Sequence, residues 1–268
     1  IQVGLEFRRV LFRSEALRAD PANADALCGR ANAAYEMRAY EAAAGDYAAV
    51  LRVDPGYAYA RGNFATAKLQ ICDWHSLQAD IPSVDTDVDA GKPAVTPIQY
   101  LALSDSPKRQ LRCASLWTQE KHPPAPQPLW RGDIYRHDRI RIAYLSEDFR
   151  DHAVATLMTG VWENHDRSKF ETYAFSFGPD DGSVLRKRAE SAFEHFIDVR
   201  AKSDAEIADA IRAAEIDILV DLMGYSGHHR SNILAARPAP VQVNYLGRSE
   251  EHTSELQSHL NLVCRLLL

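Results

Sequence analysis

His152 is the residue whose setting in this chain best suits chemistry. It ends the polar, turn-prone stretch Asp148-Phe149-Arg150-Asp151-His152. Before it, Arg139 to Leu145 alternates basic and apolar residues and then runs apolar, as a strand entering a buried sheet does. After it, apolar residues return at helical spacing in Val154, Leu157, Met158, Val161 and Trp162. The order strand, loop, helix sets His152 at a helix start. Open α/β sheets bind ligands there, at the carboxyl ends of strands beside helix N-termini. A histidine so placed is able to hydrogen-bond a ligand or move a proton near neutral pH. It is equally able to cap the helix or face solvent and do nothing more. From this stretch alone both readings stand.

The elements that must hold such a loop follow downstream. Phe170 to Gly178 reads as a strand ending in the turn Gly178-Pro179-Asp180-Asp181-Gly182. A charged helix is expected at 182–194 and a short strand at 196–199. Ser203 and Glu206 have capping-box spacing, and Ile207, Ala210, Ile211 and Ala214 share one helical face. Ile216 to Leu222 is a buried strand. Arg237-Pro238-Ala239-Pro240 then delays the last strand, Val241 to Leu246. Strand and helix alternating this way predict a parallel sheet with helices on both faces.

Upstream the pattern is different. Leu17-Arg18-Ala19-Asp20-Pro21 returns as Leu51-Arg52-Val53-Asp54-Pro55, so that the two prolines lie 34 residues apart, the tetratricopeptide period. Helices fit at 23–37 and 40–53, with small Ala31 and Ala43 where two helices must approach closely and Tyr47 and Val50 filling the gaps. Pro55 stops the second helix, and a third is expected at 57–71 with Phe64, Ala67 and Leu69. One complete repeat cannot bury a solenoid core, which needs about three. Ile81 to Pro97 reads as an irregular link, and 106–120 as a short helix. His122-Pro123-Pro124-Ala125-Pro126-Gln127-Pro128 is extended and marks the clearest domain boundary.

Composition narrows the function classes. A formal charge of −6 argues against nucleic acid or an anionic membrane as partner. Four cysteines, at 28, 72, 113 and 264, show no CxxC spacing and read as free thiols. No apolar run reaches the roughly 18 residues of a membrane span, and the first residues do not read as a secretory signal. There is no Gly-rich dinucleotide fingerprint, P-loop, GxSxG elbow or metal-ligand spacing of histidines. His228-His229 reads as a solvated loop, and His195, just before a strand, as structural.

Three blocks carry a resemblance. Asp148 to Val154 resembles the first strand–loop of the catalytic region in O-linked GlcNAc transferases and their SPINDLY-type relatives. Those are tetratricopeptide-repeat proteins joined to a two-lobed, GT-B-type glycosyltransferase. Ile216 to Ser226 is similar to a later strand and loop of the same lobe, and Ala236 to Gly247 to the strand that follows. The resemblance covers roughly residues 15–247 and only the front half of a complete enzyme.

The implied fold is α plus α/β: the C-terminal end of a tetratricopeptide array, then one Rossmann-like GT-B lobe. The implied organisation is repeat helices at 15–75, a connector at 76–138 and the N-terminal catalytic lobe at 139–247. The implied activity moves a sugar, GlcNAc from UDP-GlcNAc, to Ser or Thr hydroxyls of proteins. Its donor is a UDP-sugar with no cofactor or metal, and its acceptor is a protein or peptide bound through the repeats. No nucleic acid or membrane takes part, and a cytoplasmic location is expected. His152 matches the family histidine, as proton acceptor or as orienting hydrogen-bond donor. Asp221, Gly224 and Tyr225 match the second loop, where they would line the sugar pocket; a cap on the following turn is the other reading of Asp221. Leu246 and Gly247 match the third loop.

Two departures qualify the match. The family's nucleotide-binding lobe, with the lysine and histidine that hold the diphosphate, belongs after Gly247 and is absent, so this chain alone is expected not to turn over. Residues 1–14 and 248–268 resemble translated sequencing-adapter read-through, although the second stretch also fits an amphipathic helix from about Thr253. A repeat-based protein-binding scaffold with a non-catalytic α/β domain is the competing reading. GlcNAc and fucose donors are not separable from these residues.

Overall fold

The computed structural model describes residues 2–226 and 228–246, with side chains from Val10 onward. The expected scar at 248–268 therefore lies outside the described residues. The chain divides into two units, Ile1–Trp117 and Thr118–Leu268.

The first unit begins with α1 (Gln2–Ala19), α2 (Ala24–Glu36), α3 (Tyr40–Val53) and α4 (Ala60–Gln70). α1 runs through the boundary drawn at residue 14, and Leu17 near its end is buried with Leu27, Tyr47 and Val50. Ala31 and Ala43 are fully buried in the same core, as close helix approach requires. The two Asp-Pro steps form the same turn. Asp20 Oδ1 accepts from the Ala22 N–H at 3.2 Å, and Asp54 Oδ1 from the Gly56 N–H at 2.9 Å. Each aspartate carbonyl also accepts from the N–H three residues on, Asn23 and Tyr57, both at 3.2 Å. The sequence repeat is thus a repeat of hydrogen bonding.

The link expected to be irregular at 81–97 is helical in its first half: α5 (Trp74–Asp89) continues to Asp89 with Pro82 inside the helix, and only 90–96 is irregular. Leu77, Val84 and Val88 fall on one helical face and are buried with Ala65, Val95, Tyr100 and Leu103. Burying three such side chains, at about 1.5–3 kcal/mol each, outweighs the roughly 3 kcal/mol cost of a helical proline. α6 (Pro97–Leu101) and α7 (Pro107–Lys121) follow.

The second unit is a five-stranded parallel sheet, in the order β3-β2-β1-β4-β5. Its elements are β1 (Ile140–Ser146), α8 (Ala153–Glu163), β2 (Phe170–Ser176), α9 (Val184–Ala192), β3 (His195–Asp198), α10 (Asp204–Ala213), β4 (Ile218–Asp221), α11 (Ser231–Ala235) and β5 (Val241–Asn244). β1 is central, with Tyr144 between Ala174 of β2 and Val220 of β4. Its residues alternate between two cores. Ile142 and Tyr144 pack with Val154, Met158 and Trp162 of α8 and Ala189 of α9. Ala143 and Leu145 pack with Ile207 and Ile211 of α10 and Ile233 of α11. Helices therefore cover both faces, which is why β1 reads as apolar throughout its second half. The Ser203–Glu206 capping box starts α10 as its spacing predicts. Among the described residues no helix is long and apolar enough to cross a membrane.

Candidate functional site

The strand order reverses between β1 and β4. At such a switch point the loops leaving the two strands part and open a crevice at their carboxyl ends. The β1 loop carries His152, and the β4 loop carries Asp221, Gly224 and Tyr225. These residues therefore flank one switch point.

The β1 loop is held from several sides. The Ser146 Oγ, fully buried, accepts from the Asp148 N–H at 2.9 Å and so fixes the first turn. Phe149 is also fully buried, with ring centroids 5.0 Å from Trp162 and 5.7 Å from Phe193. His152 is the N-cap of α8 in extended backbone. Its Nδ1 lies 3.3 Å from the Val154 N and 3.4 Å from Asp148 Oδ2. The capping reading is thus realised, yet the ring is about one-third exposed and, among the described residues, Nε2 has no hydrogen-bond partner. Capping uses one nitrogen and leaves the other for chemistry.

The β2–α9 loop braces this one. Asp181 Oδ2 accepts from the Asp151 N–H at 2.8 Å, and that bond with those to Ser183 holds the Asp181 carboxyl down to about 2. Arg186, buried in the first turn of α9, donates to the Ser176 Oγ at 3.0 Å and to the Phe149 carbonyl at 3.4 Å. Its guanidinium also lies over the Phe196 ring and pairs with Glu190 at 2.7 Å, so the buried charge is compensated.

In the β4 loop, Asp221 is buried and its carboxylate is fully engaged. Oδ1 accepts from the Met223 N–H at 3.0 Å; Oδ2 accepts from the Gly224 N–H at 3.0 Å and from Asn244 Nδ2 at 2.9 Å. Burial pushes its pKa up to about 6 despite these three donors. Asp221 caps its own turn and ties β4 to β5. Gly224 has φ +55°, a left-handed position that suits glycine. The Tyr225 hydroxyl shares a 2.6 Å hydrogen bond with the Thr118 hydroxyl. Leu246, at φ +54°, packs half-buried against the core under α8. Gly247 lies outside the described residues.

Sequence reading missed Glu147 and Asp148, which leave β1 beside His152. Glu147 Oε2 sits 3.3 Å from His228 Nδ1 and so connects the β1 and β4 loops. His228-His229 is not a uniform solvated pair. His228 is 91% exposed, but His229 bonds the Ser231 hydroxyl at 2.9 Å and meets the His122 ring at 5.2 Å. Burial lowers the His229 pKa. Its partner His122 lies about a hundred residues away, so no local spacing could show it. His195 bonds Glu171 at 2.9 Å, as a structural histidine would. A cavity of about 640 Å³ opens at the opposite, amino-terminal edge of the sheet, among Tyr135, His137, Arg139, Lys169 and Asp217. It lies at strand starts, where parallel sheets do not place reacting groups, so we locate the site at the other edge.

Comparisons with known proteins give the family. Residues 125–257 match the family described as glycosyl transferase family 41. The chain is 36% identical over 151 residues to the probable UDP-N-acetylglucosamine–peptide N-acetylglucosaminyltransferase SEC of Arabidopsis thaliana, covering 55% of this chain and 15% of that protein. It is 35% identical over 118 residues to the UDP-N-acetylglucosamine–peptide N-acetylglucosaminyltransferase of Caenorhabditis elegans, covering 44% of this chain and 10% of that protein. Among solved structures, a mutant of the Thermobaculum terrenum O-GlcNAc transferase matches with TM-score 0.56 and 28% identity, over 92% of this chain and 48% of that one. The chain thus spans about half of the matched structure and a small part of the curated relatives.

Proposed function

From the premise that this chain carries a glycosyl transferase family 41 domain, homologous to the SEC, SPINDLY and O-GlcNAc transferase proteins, we propose that it is the acceptor-side part of a protein O-glycosyltransferase. The donor is a UDP-sugar, UDP-GlcNAc by the names of its relatives, and the acceptor is a Ser or Thr hydroxyl of a protein. The observation that carries this reading is the placement of His152 and the Asp221–Tyr225 loop on the two strands flanking the switch point. In this reading His152 Nε2 faces the acceptor hydroxyl. Gly224 lets the β4 loop backbone approach the sugar, while Asp221 holds that loop rather than the ligand. Leu246 and Gly247 complete the pocket from β5. The helices of the first unit are the end of a tetratricopeptide array, supported by the doubled Asp-Pro turn, and present the acceptor protein.

In this reading the diphosphate is stabilised by groups outside the described residues, which alone neither hydrolyse nor transfer from a UDP-sugar. Calorimetric titration tests that point: micromolar affinity for UDP in the isolated chain would contradict it. The activity is tested by joining the chain to the nucleotide-binding lobe of a family relative and measuring GlcNAc transfer from UDP-GlcNAc to protein Ser and Thr. Transfer that His152→Asn abolishes supports the reading. A well-folded fusion that binds UDP and transfers nothing counts against it and favours a protein-binding scaffold.

A further inference from the structure

We infer that Asp148 is a positioning residue for His152: its carboxylate holds the imidazole proton on Nδ1 and leaves the lone pair on Nε2. The use of that lone pair, to take the proton of an acceptor hydroxyl, rests on the glycosyl-transfer reading; the tautomer does not.

Nδ1 of His152 faces two groups at nearly equal range, the Val154 N at 3.3 Å and Asp148 Oδ2 at 3.4 Å. A neutral imidazole satisfies only one of them, because each ring nitrogen is either a donor or an acceptor. If Nδ1 is bare it accepts from Val154, its lone pair also points at a carboxylate, and Nε2 carries the proton. That ring donates to a ligand and takes no proton from it. If Nδ1 is protonated it donates to Asp148, and Nε2 becomes the acceptor.

Charge decides between them. A hydrogen bond to an ionised carboxylate is roughly twice as strong as one between neutral groups. The Asp148 side chain is only 7% exposed, so water screens its charge little. Arg150 Nη2 donates to its other oxygen at 3.0 Å and leaves Oδ2 for His152. The backbone on both sides is pinned, by the Ser146 hydroxyl on the Asp148 N–H and by the burial of Phe149. The carboxylate is thus presented to the ring by a fixed turn. Val154, in contrast, gives up one long neutral cap bond at the helix start.

The test is the tautomer of His152, read from ¹⁵N chemical shifts of its two ring nitrogens in the whole ¹⁵N-histidine-labelled chain at about pH 8, where imidazole is neutral. His152→Gln assigns the resonances by their loss. The expected parent spectrum has a protonated, pyrrole-type Nδ1 and a bare, pyridine-type Nε2. Asp148→Asn, which keeps the shape and removes the charge, should shift the ratio of tautomers toward Nε2–H by roughly tenfold or more. A merely structural Asp148 would leave that ratio where it was. The proposal is overturned if the parent holds its proton on Nε2, a measurement that needs no variant to fold, or if Asp148→Asn leaves Nδ1 protonated as before. The glycosyl-transfer reading fails separately. A parent with protonated Nδ1 in a fusion whose transfer ignores His152 keeps the Asp148 pairing and removes the reading. Transfer that needs His152 in a chain with protonated Nε2 keeps the reading and removes the pairing.

Discussion

Gly178 lies directly against the backbone of Glu147: a Cβ placed on Gly178 would fall 1.7 Å from the Glu147 carbonyl oxygen and 2.8 Å from its Cα. The turn after β2 therefore presses on the loop after β1 at the point where that loop leaves the sheet. Neither atom is at the end of a flexible side chain, so neither is free to yield.

Gly178→Ala should accordingly move one loop or the other. Overpacking of this kind typically costs about 1–3 kcal/mol, and here the displaced backbone leads straight to Asp148 and His152. Urea denaturation should show a lower midpoint with an unchanged slope. A variant as stable as the parent within about 0.5 kcal/mol, a shift usual for neutral surface changes, would mean that the two loops do not hold each other.

Glu171 makes a pH prediction with a definite sign. Burial pushes its pKa up, but hydrogen bonds from Tyr173 at 2.8 Å, Arg141 at 3.0 Å and His195 at 2.9 Å overcome this and bring it to about 2. A folded pKa below the unfolded one stabilises the fold above about pH 4.5 and loses that contribution as pH falls toward 2. The amount is on the order of 3 kcal/mol. Stability curves of the parent and Glu171→Gln should therefore converge through that window and stay apart at neutral pH. Parallel curves from pH 5 to 2 would remove Glu171 from the acid transition.

Asp221 should behave in the opposite sense. Its folded pKa, about 6, lies above the ordinary value of 3.8 because burial penalises the charge more than its three donors favour it. The stabilising contribution is then complete below about pH 4 and is lost as pH rises through 6, on the order of 3 kcal/mol. Asp221→Asn does not titrate. Its stability relative to the parent should improve between pH 4 and 7, although it loses an acceptor for the Met223 or Gly224 N–H. Denaturation at pH 4, 5, 6 and 7 measures this; a flat difference would show that Asp221 keeps an ordinary pKa.

These residues also mark what could be read from the chain itself. The parallel sheet was legible because each strand and helix carries its own period, and the helix start at His152 because a polar turn separates an apolar run from a helical stripe. The repeat was legible because Asp20-Pro21 and Asp54-Pro55 make the same local turn. The braces on the site were not. Arg186 reaches Phe149, Asp181 reaches Asp151, and His229 meets His122, all across separations of about thirty residues or more. No periodicity records such contacts. The path of α5 through Pro82 was hidden for a related reason: the proline is local, whereas the burial of Val84 and Val88 that offsets it depends on Val95, Tyr100 and Leu103. Even Asp221, expected from the sequence to line a sugar pocket, has its carboxylate occupied by Asn244 on a strand that follows two loops later.

His152 gives the sharpest test of the proposed chemistry, because its place at the helix start and its proton transfer are separable by substitution. Asparagine is among the best N-cap residues, so His152→Asn should accept from the Val154 N–H and stay within about 0.5 kcal/mol of the parent. His152→Ala offers no side-chain acceptor there and should be about 1 kcal/mol less stable than His152→Asn. Neither side chain accepts a proton at neutral pH. In the fusion with a nucleotide-binding lobe, both should lower turnover by roughly 10²–10⁴-fold, the usual share of general acid–base catalysis, and leave UDP affinity in place. Turnover of His152→Asn within about threefold of the parent, only about 0.7 kcal/mol in barrier, would reduce His152 to a residue at the start of α8 with no part in the transfer.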